Sequence, residues 1–222
     1  MARLLLSAVA AILLVAGGAY VWNSQTTSAH GVSLNPVSAA QAQEVDTSGV
    51  IEMAMGPEDA AVTVIEYASF TCPHCANFHE SVFKELKENY IDTGKIRFVH
   101  REVYFDRLGL WAGMTARCGG PERYFGIADL LYEQQREWIG SGNPAEVADN
   151  LRRIGRLAGL GDDAIDACLQ DADKAQALVA SYQQNAEADD ISGTPSFIIN
   201  GEKFSNMNYR DFAATLDELL AD

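Results

Sequence analysis

The chain predicts an α/β sheet domain interrupted by a block of helices. Three observations carry this. A run of β-branched and aromatic residues, Val62 to Phe70 (VTVIEYASF), is followed at once by helical spacing from Pro73. A long stretch from about Leu110 to Asp190 then carries helical patterning. Strand character returns at Pro195–Asn200 (PSFIIN) and is followed by a turn signal and a last amphipathic helix. Strand, helix, strand, helices, hairpin, helix is the order of a sheet domain with a helical insertion.

The elements follow in order. Arg3 precedes an uncharged run, Leu4 to Trp22, which has the form of a secretory signal with Gly17-Gly18-Ala19 as a cleavage site. The same run approaches the roughly 20 residues that span a bilayer, so residues 1–22 are a signal or an uncleaved anchor. The next cation after Arg3 is Lys84, which places the N-terminus in the cytoplasm and the rest across the membrane. Residues 23–49, rich in Ser, Thr, Ala and Gln, read as a flexible linker. Ala40-Gln41-Ala42 resembles a second cleavage site but lies far from the apolar run.

After the Val62–Phe70 strand a helix is expected over about 73–89, with Pro73 in its first turn, where a missing N–H does no harm. Lys95–Val103 (KIRFVHREV) is a second strand. Within the helical block, Asn143-Pro144-Ala145-Glu146 is an N-cap, a first-turn proline and an acid in helix-start order. Val147, Leu151, Ile154 and Ala158 line one face, and Gly159 and Gly161 end that helix. Further helices fit 162–169 and 172–188. Asn200-Gly201 is a two-residue hairpin signal, because both positions of a type I′ turn need positive φ. Residues 202–205 form its second strand and 209–220 the last helix. The Met53–Met55 pair reads as packing. The sheet domain thus comprises residues 50–105 and 191–222, and the insertion 106–190.

The net charge is −15, with 16 Lys and Arg against 31 Asp and Glu. Such a surface repels phosphate backbones, and no basic run offsets it, so nucleic-acid binding is excluded. Four cysteines and an exported setting direct attention to thiol chemistry.

Cys72-Pro73-His74-Cys75 lies between a strand and a helix. At a helix N-terminus the first sulfur faces free main-chain N–H groups and the positive end of the helix dipole. Both favour its thiolate, so Cys72 is the nucleophile. Cys75, one turn on, resolves. His74 is expected to add a further contact to the thiolate. A depressed Cys72 pKa stabilises the reduced pair and makes the disulfide oxidising. A zinc site would need a second pair of ligands at suitable spacing; His79 with His74 and the two cysteines would crowd one helix face, so no metal is expected. A structural disulfide at this spacing is the other alternative. Glu66, inside the first strand, is either a buried acid with a raised pKa that exchanges protons with Cys75, or a strand-edge residue facing solvent. His100 reads as structural and His30 as incidental.

The segments VTVIEYASFTCPHCANFH and SGTPSFIING resemble the DsbA family of periplasmic thiol oxidoreductases, in its alphaproteobacterial form. The resemblance runs from about Val50 to the C-terminus. It implies a thioredoxin-like fold with the helical insertion, and a cis bond at Thr194-Pro195 facing the active-site helix and binding substrate peptide. It also implies an acid at the position of Glu66. Cys118 and Cys168 are then expected to pair as a second disulfide, as in some such relatives; the alternative is two buried thiols. The implied function is a protein disulfide oxidase without a cofactor. It would act as a monomer on reduced exported proteins and be reoxidised by a DsbB-like membrane quinone reductase. Thr194 also suits an isomerase or reductase on the same fold, although residues 23–49 are too short for a dimerisation domain. A chaperone or metal-binding module that works without its cysteines is the alternative of another class.

Overall fold

The computed structural model describes residues 45–221. The signal or anchor, most of the linker, Ala40-Gln41-Ala42 and His30 lie outside the described residues. A five-stranded sheet is built from β1 (Met53–Met55), β2 (Val62–Ala68), β3 (Ile96–Glu102), β4 (Ser196–Ile199) and β5 (Glu202–Ser205). Its order is β1-β3-β2-β4-β5. The β2 and β3 strands run parallel, and the other neighbours pair antiparallel. A parallel pair needs a crossover, which is supplied by α1 (Pro73–Glu80), α2 (Val82–Leu86) and a π-helical turn at Lys87–Ile91.

The single helix expected over 73–89 is therefore broken at Ser81, whose φ and ψ are −121° and −81°. Its hydroxyl donates to the Asn77 carbonyl at 2.6 Å and competes with the helical ladder. The break lets Phe78 and Phe83 both enter the core. Met53–Met55 is more than packing: it is an edge strand, with Met53 opposite His100 and Met55 opposite Phe98.

Six helices separate β3 from β4: α3 (Arg107–Cys118), α4 (Gly120–Glu133), α5 (Gln135–Ile139), α6 (Pro144–Leu157), α7 (Asp162–Gln170) and α8 (Ala172–Ala188). The first begins three residues before the expected Leu110, capped by Asp106, whose Oδ1 accepts the Gly109 N–H at 2.9 Å. The α6 helix starts as its sequence requires: Asn143 Oδ1 accepts N–H groups of Ala145 and Glu146. Asn200 and Gly201 have φ of 47° and 88°, the two positive values that turn the β4–β5 hairpin. The chain ends in α9 (Tyr209–Ala221).

Period-two alternation sorts the sheet. Val62, Val64, Glu66 and Ala68 of β2 stand on one face, level with Ile96, Phe98, His100 and Glu102 of β3. That face packs on α1, on α9 and on the insertion. Tyr67 points to the other face, where its hydroxyl meets Asp189 Oδ2 at 2.5 Å and Arg101 at 2.8 Å beside the end of α8. Three titratable groups, Glu66, His100 and Glu102, thus lie on the face that meets α1. Among the described residues no helix is long and apolar enough to cross a membrane.

Candidate active site

β2 ends at Ala68, and four residues later Cys72 forms the N-cap of α1 with φ −84° and ψ 119°. Pro73 occupies the first turn. The turn between strand and helix is held from several sides. The Cys72 N–H donates to Ser69 O at 3.1 Å. Gln135, buried at the start of α5, donates from Nε2 to both Phe70 O and Cys72 O at 2.9 Å. Thr71 Oγ1 donates to Asp106 Oδ2 at 2.9 Å, which ties the turn to the cap of α3. The insertion therefore clamps the backbone of Cys72. Nothing in the local sequence marks Gln135 for this task, because its partners lie more than sixty residues away.

The two cysteines are free thiols with different surroundings: Cys72 is partly exposed and Cys75 is buried. The Cys72 thiol is pulled down to about 5. The largest cause is the hydrogen bond from the Cys75 thiol, which outweighs the cost of partial burial; Thr194 and the main-chain N–H groups of Cys75 and His74 add to it. Cys75 is pushed far above the usual thiol range, first by burial, then by its hydrogen bond to Cys72 and by the charge of Glu66. His74 meets the thiolate through its backbone. Its side chain is exposed, and its effect on Cys72 comes through the main-chain N–H.

The Thr194-Pro195 bond is cis, and the Thr194 carbonyl lies 3.6 Å from Cys72 Sγ. Pro195 is buried at the start of β4. Cys118, at the end of α3, is joined to Cys168 of α7. Glu66 does not face solvent. It is fully buried on the central strand, with Oε2 2.9 Å from His79 Nε2 and 3.9 Å from His100 Nε2. His100 is held by Tyr132 through Nε2 at 3.0 Å and by Tyr124 through Nδ1 at 2.8 Å, and burial pushes its pKa down to about 4. Glu66, His79 and His100 are close enough to be weighed as metal ligands. The tyrosine hydroxyls engage both nitrogens of His100, and His79 Nε2 lies within hydrogen-bond distance of Glu66 Oε2.

A thiolate at about 5 sets a sign. The reduced protein carries a group whose pKa is depressed on folding from the ordinary thiol range. The stability it confers is fully present above the unfolded value and is lost as pH falls through the folded one. Thiolate absorbance of the reduced protein is expected to titrate with a midpoint near 5. The stability of the reduced form relative to the oxidised form is expected to rise between that pH and the ordinary thiol range. A midpoint near that of a free cysteine would show that Cys72 is not activated.

A parallel β2–β3 pair bridged by a helix, an antiparallel β4–β5 hairpin entered through a cis-proline, and a polarised Cys-x-x-Cys at a helix N-terminus define a thioredoxin-fold dithiol protein. The family model described as thioredoxin matches residues 48–218. A Rickettsia bellii protein provisionally named a protein-disulfide oxidoreductase is 36% identical over 172 residues, 77% of this chain and 65% of that one. The chain thus spans somewhat less than two thirds of that relative's length. Wolbachia pipientis alpha-DsbA1 is similar in structure, with a TM-score of 0.70 and 30% identity over 77% of this chain and 91% of that chain. BdbD of Bacillus subtilis shares the fold, with a TM-score of 0.68 at 19% identity over 77% of this chain and 94% of that chain. The chain belongs to the thioredoxin family and to its DsbA-like members.

Proposed function

We propose that the protein is a thiol:disulfide oxidoreductase that donates a Cys72–Cys75 disulfide to reduced exported proteins. The observation that carries this is the polarisation of the pair: a half-exposed Cys72 ionising near 5 beside a buried Cys75 pushed far up. A stable Cys72 thiolate favours the reduced form, and the disulfide is correspondingly oxidising.

A substrate thiolate attacks Cys72 Sγ. The Cys72–Cys75 bond breaks, and Cys75 leaves with the electron pair and takes a proton. A second substrate thiolate attacks the substrate sulfur of the mixed disulfide and expels Cys72 as a thiolate. Substrate gains one disulfide and the protein becomes a dithiol. Glu66 is the proton partner of Cys75, supported by its burial and by its charge acting on that thiol. Cys72, Pro73, His74 and Cys75 form the exchange site, with the His74 main-chain N–H on the Cys72 thiolate. An extended substrate lies along Thr194 and Pro195 with main-chain hydrogen bonds, the manner in which sheet edges take peptides. Cys118–Cys168 is structural. By resemblance, a DsbB-like membrane quinone reductase restores the disulfide. The protein acts as a monomer in the periplasm, free or anchored by residues 4–22.

The test is oxidative refolding of a reduced, unfolded disulfide protein by stoichiometric oxidised protein. One substrate disulfide is expected to appear for each protein molecule that gains a free Cys72 and a free Cys75 thiol. Substrate that stays reduced would refute the reading.

A further inference from the structure

The buried face of β2 and β3 gathers more ionisable side chains than disulfide exchange between two cysteines requires. On α1, His79 lies seven residues after Cys72 and is itself buried. Its ring stacks on Tyr132 with centroids 4.1 Å apart and an interplanar angle of 18°, and it packs on Phe83 at 4.5 Å. Its Nε2 is 2.9 Å from Glu66 Oε2. Glu66 Oε1 and His79 Nδ1 are buried without a hydrogen-bond partner within the protein. His79 Nε2 is therefore the nitrogen nearest the carboxylate of Glu66, with His100 Nε2 next at 3.9 Å.

The other groups facing this pair are accounted for. His100 is uncharged at neutral pH, with each nitrogen held by a tyrosine hydroxyl. Tyr124 and Tyr132 hold their protons well above the usual phenol range because they are buried. Glu102 is paired with Arg117 through two contacts at 2.6 and 2.5 Å. Asp129 of α4 also faces His79, and burial raises its pKa. Glu66 and His79 are thus the one carboxylate–imidazole couple at direct hydrogen-bond distance on the side of the sheet where Cys75 is buried, among the described residues.

We propose that His79 is a positioning residue for Glu66: its Nε2–H holds and aims the carboxylate, so that Glu66 can take the proton of Cys75. This rests on the reading of Glu66 as the proton partner of Cys75. The step it serves can be isolated with glutathione disulfide. The Cys72 thiolate attacks it, giving the Cys72–glutathione mixed disulfide and one glutathione thiolate. Cys75 then passes its proton to Glu66 and attacks Cys72 Sγ. The Cys75–Cys72 bond forms, the bond to glutathione breaks, and a second glutathione thiolate leaves and is protonated by water. Without His79 the carboxylate loses a charge-assisted hydrogen bond and the contact that fixes its direction.

The test is the pH profile of mixed-disulfide resolution in single turnover. His79→Phe keeps the ring packing and removes the donor. It is expected to move the acid limb up by about one pH unit, the size of a hydrogen bond to a charged group. His79→Gln places an amide nitrogen near the position of Nε2 and is expected to return the midpoint toward that of the parent. His79→Asn falls short of it and is expected to shift with Phe, and it serves if the Phe variant does not fold. In a Glu66→Gln background the His79 change is expected to add no shift, as coupled sites require. A uniform loss of rate at every pH, or a Gln variant that shifts as far as Phe, would overturn the proposal. If Glu66→Gln moves the acid limb and His79→Phe does not, only the role of His79 fails. If Glu66→Gln leaves the profile untouched, the proton role of Glu66 fails and takes this proposal with it.

Discussion

Cys72→Ser is expected to reduce oxidative refolding to the uncatalysed background, a loss on the order of a thousandfold or more, as when a covalent nucleophile is removed. The hydroxyl cannot form the mixed disulfide through which electrons pass. Cys75→Ser is expected to behave differently. Cys72 remains half-exposed and ionised, so it still attacks a disulfide, but the buried sulfur that resolves the adduct is gone. Mixed disulfides on Cys72 should accumulate and be visible by mass. The lowest thiol pKa should rise in that variant, because the Cys75 thiol is the largest cause of the low Cys72 value. Equal behaviour of the two variants would contradict the assignment of nucleophile and resolving thiol. Full folding assistance by Cys72→Ser would instead mark a protein that binds chains without exchanging electrons.

The double variant Cys118→Ser, Cys168→Ser is expected to unfold more easily by about 4 kcal/mol. The bridge spans a sequence separation of 50 residues, and closing a loop of that length restricts the unfolded chain by roughly that amount. For a domain of this size the melting temperature should fall by about 10 °C. The bridge ties the end of α3 to α7 across the helical block. α3 also carries Arg117, which pairs with Glu102 of β3 and donates to the Ile51 carbonyl at 2.8 Å. Calorimetry of oxidised wild type and variant checks the prediction; an unchanged melting temperature would contradict it.

The parts of this fold with strong local signals were legible from the residues alone. Asn200-Gly201 demanded a positive-φ turn, Asn143-Pro144 a helix start, and the Val62–Phe70 run a buried strand. Each signal is local, and no distant contact opposed it. Shorter or longer-range features were not legible. Met53–Met55 is a three-residue strand, too short for alternation to stand out. The break at Ser81 depends on one hydroxyl choosing a carbonyl four residues back. In the site, Cys72 and Cys75 stand out by spacing, and Glu66 by its odd chemistry in an apolar strand, which left both a buried and a solvent-facing side chain open. The environment of Glu66 is another matter. Its partners His79 and His100 come from a crossover helix and a neighbouring strand, and only the parallel register that sets Glu66 level with His100 brings them together. Gln135 reaches the active-site turn from the insertion, and the exposed ring of His74 follows from the direction α1 takes. Periodicity carries no information on either.

The measurement that tests the central claim most directly is the equilibrium of Cys72–Cys75 with a glutathione redox buffer, read by the fraction of protein that is oxidised. A strongly stabilised Cys72 thiolate requires a potential toward the oxidising end, near the value of about −120 mV at which DsbA itself is poised. A potential near about −270 mV, where thioredoxin lies, would contradict a disulfide donor and assign the site to a reductant or isomerase.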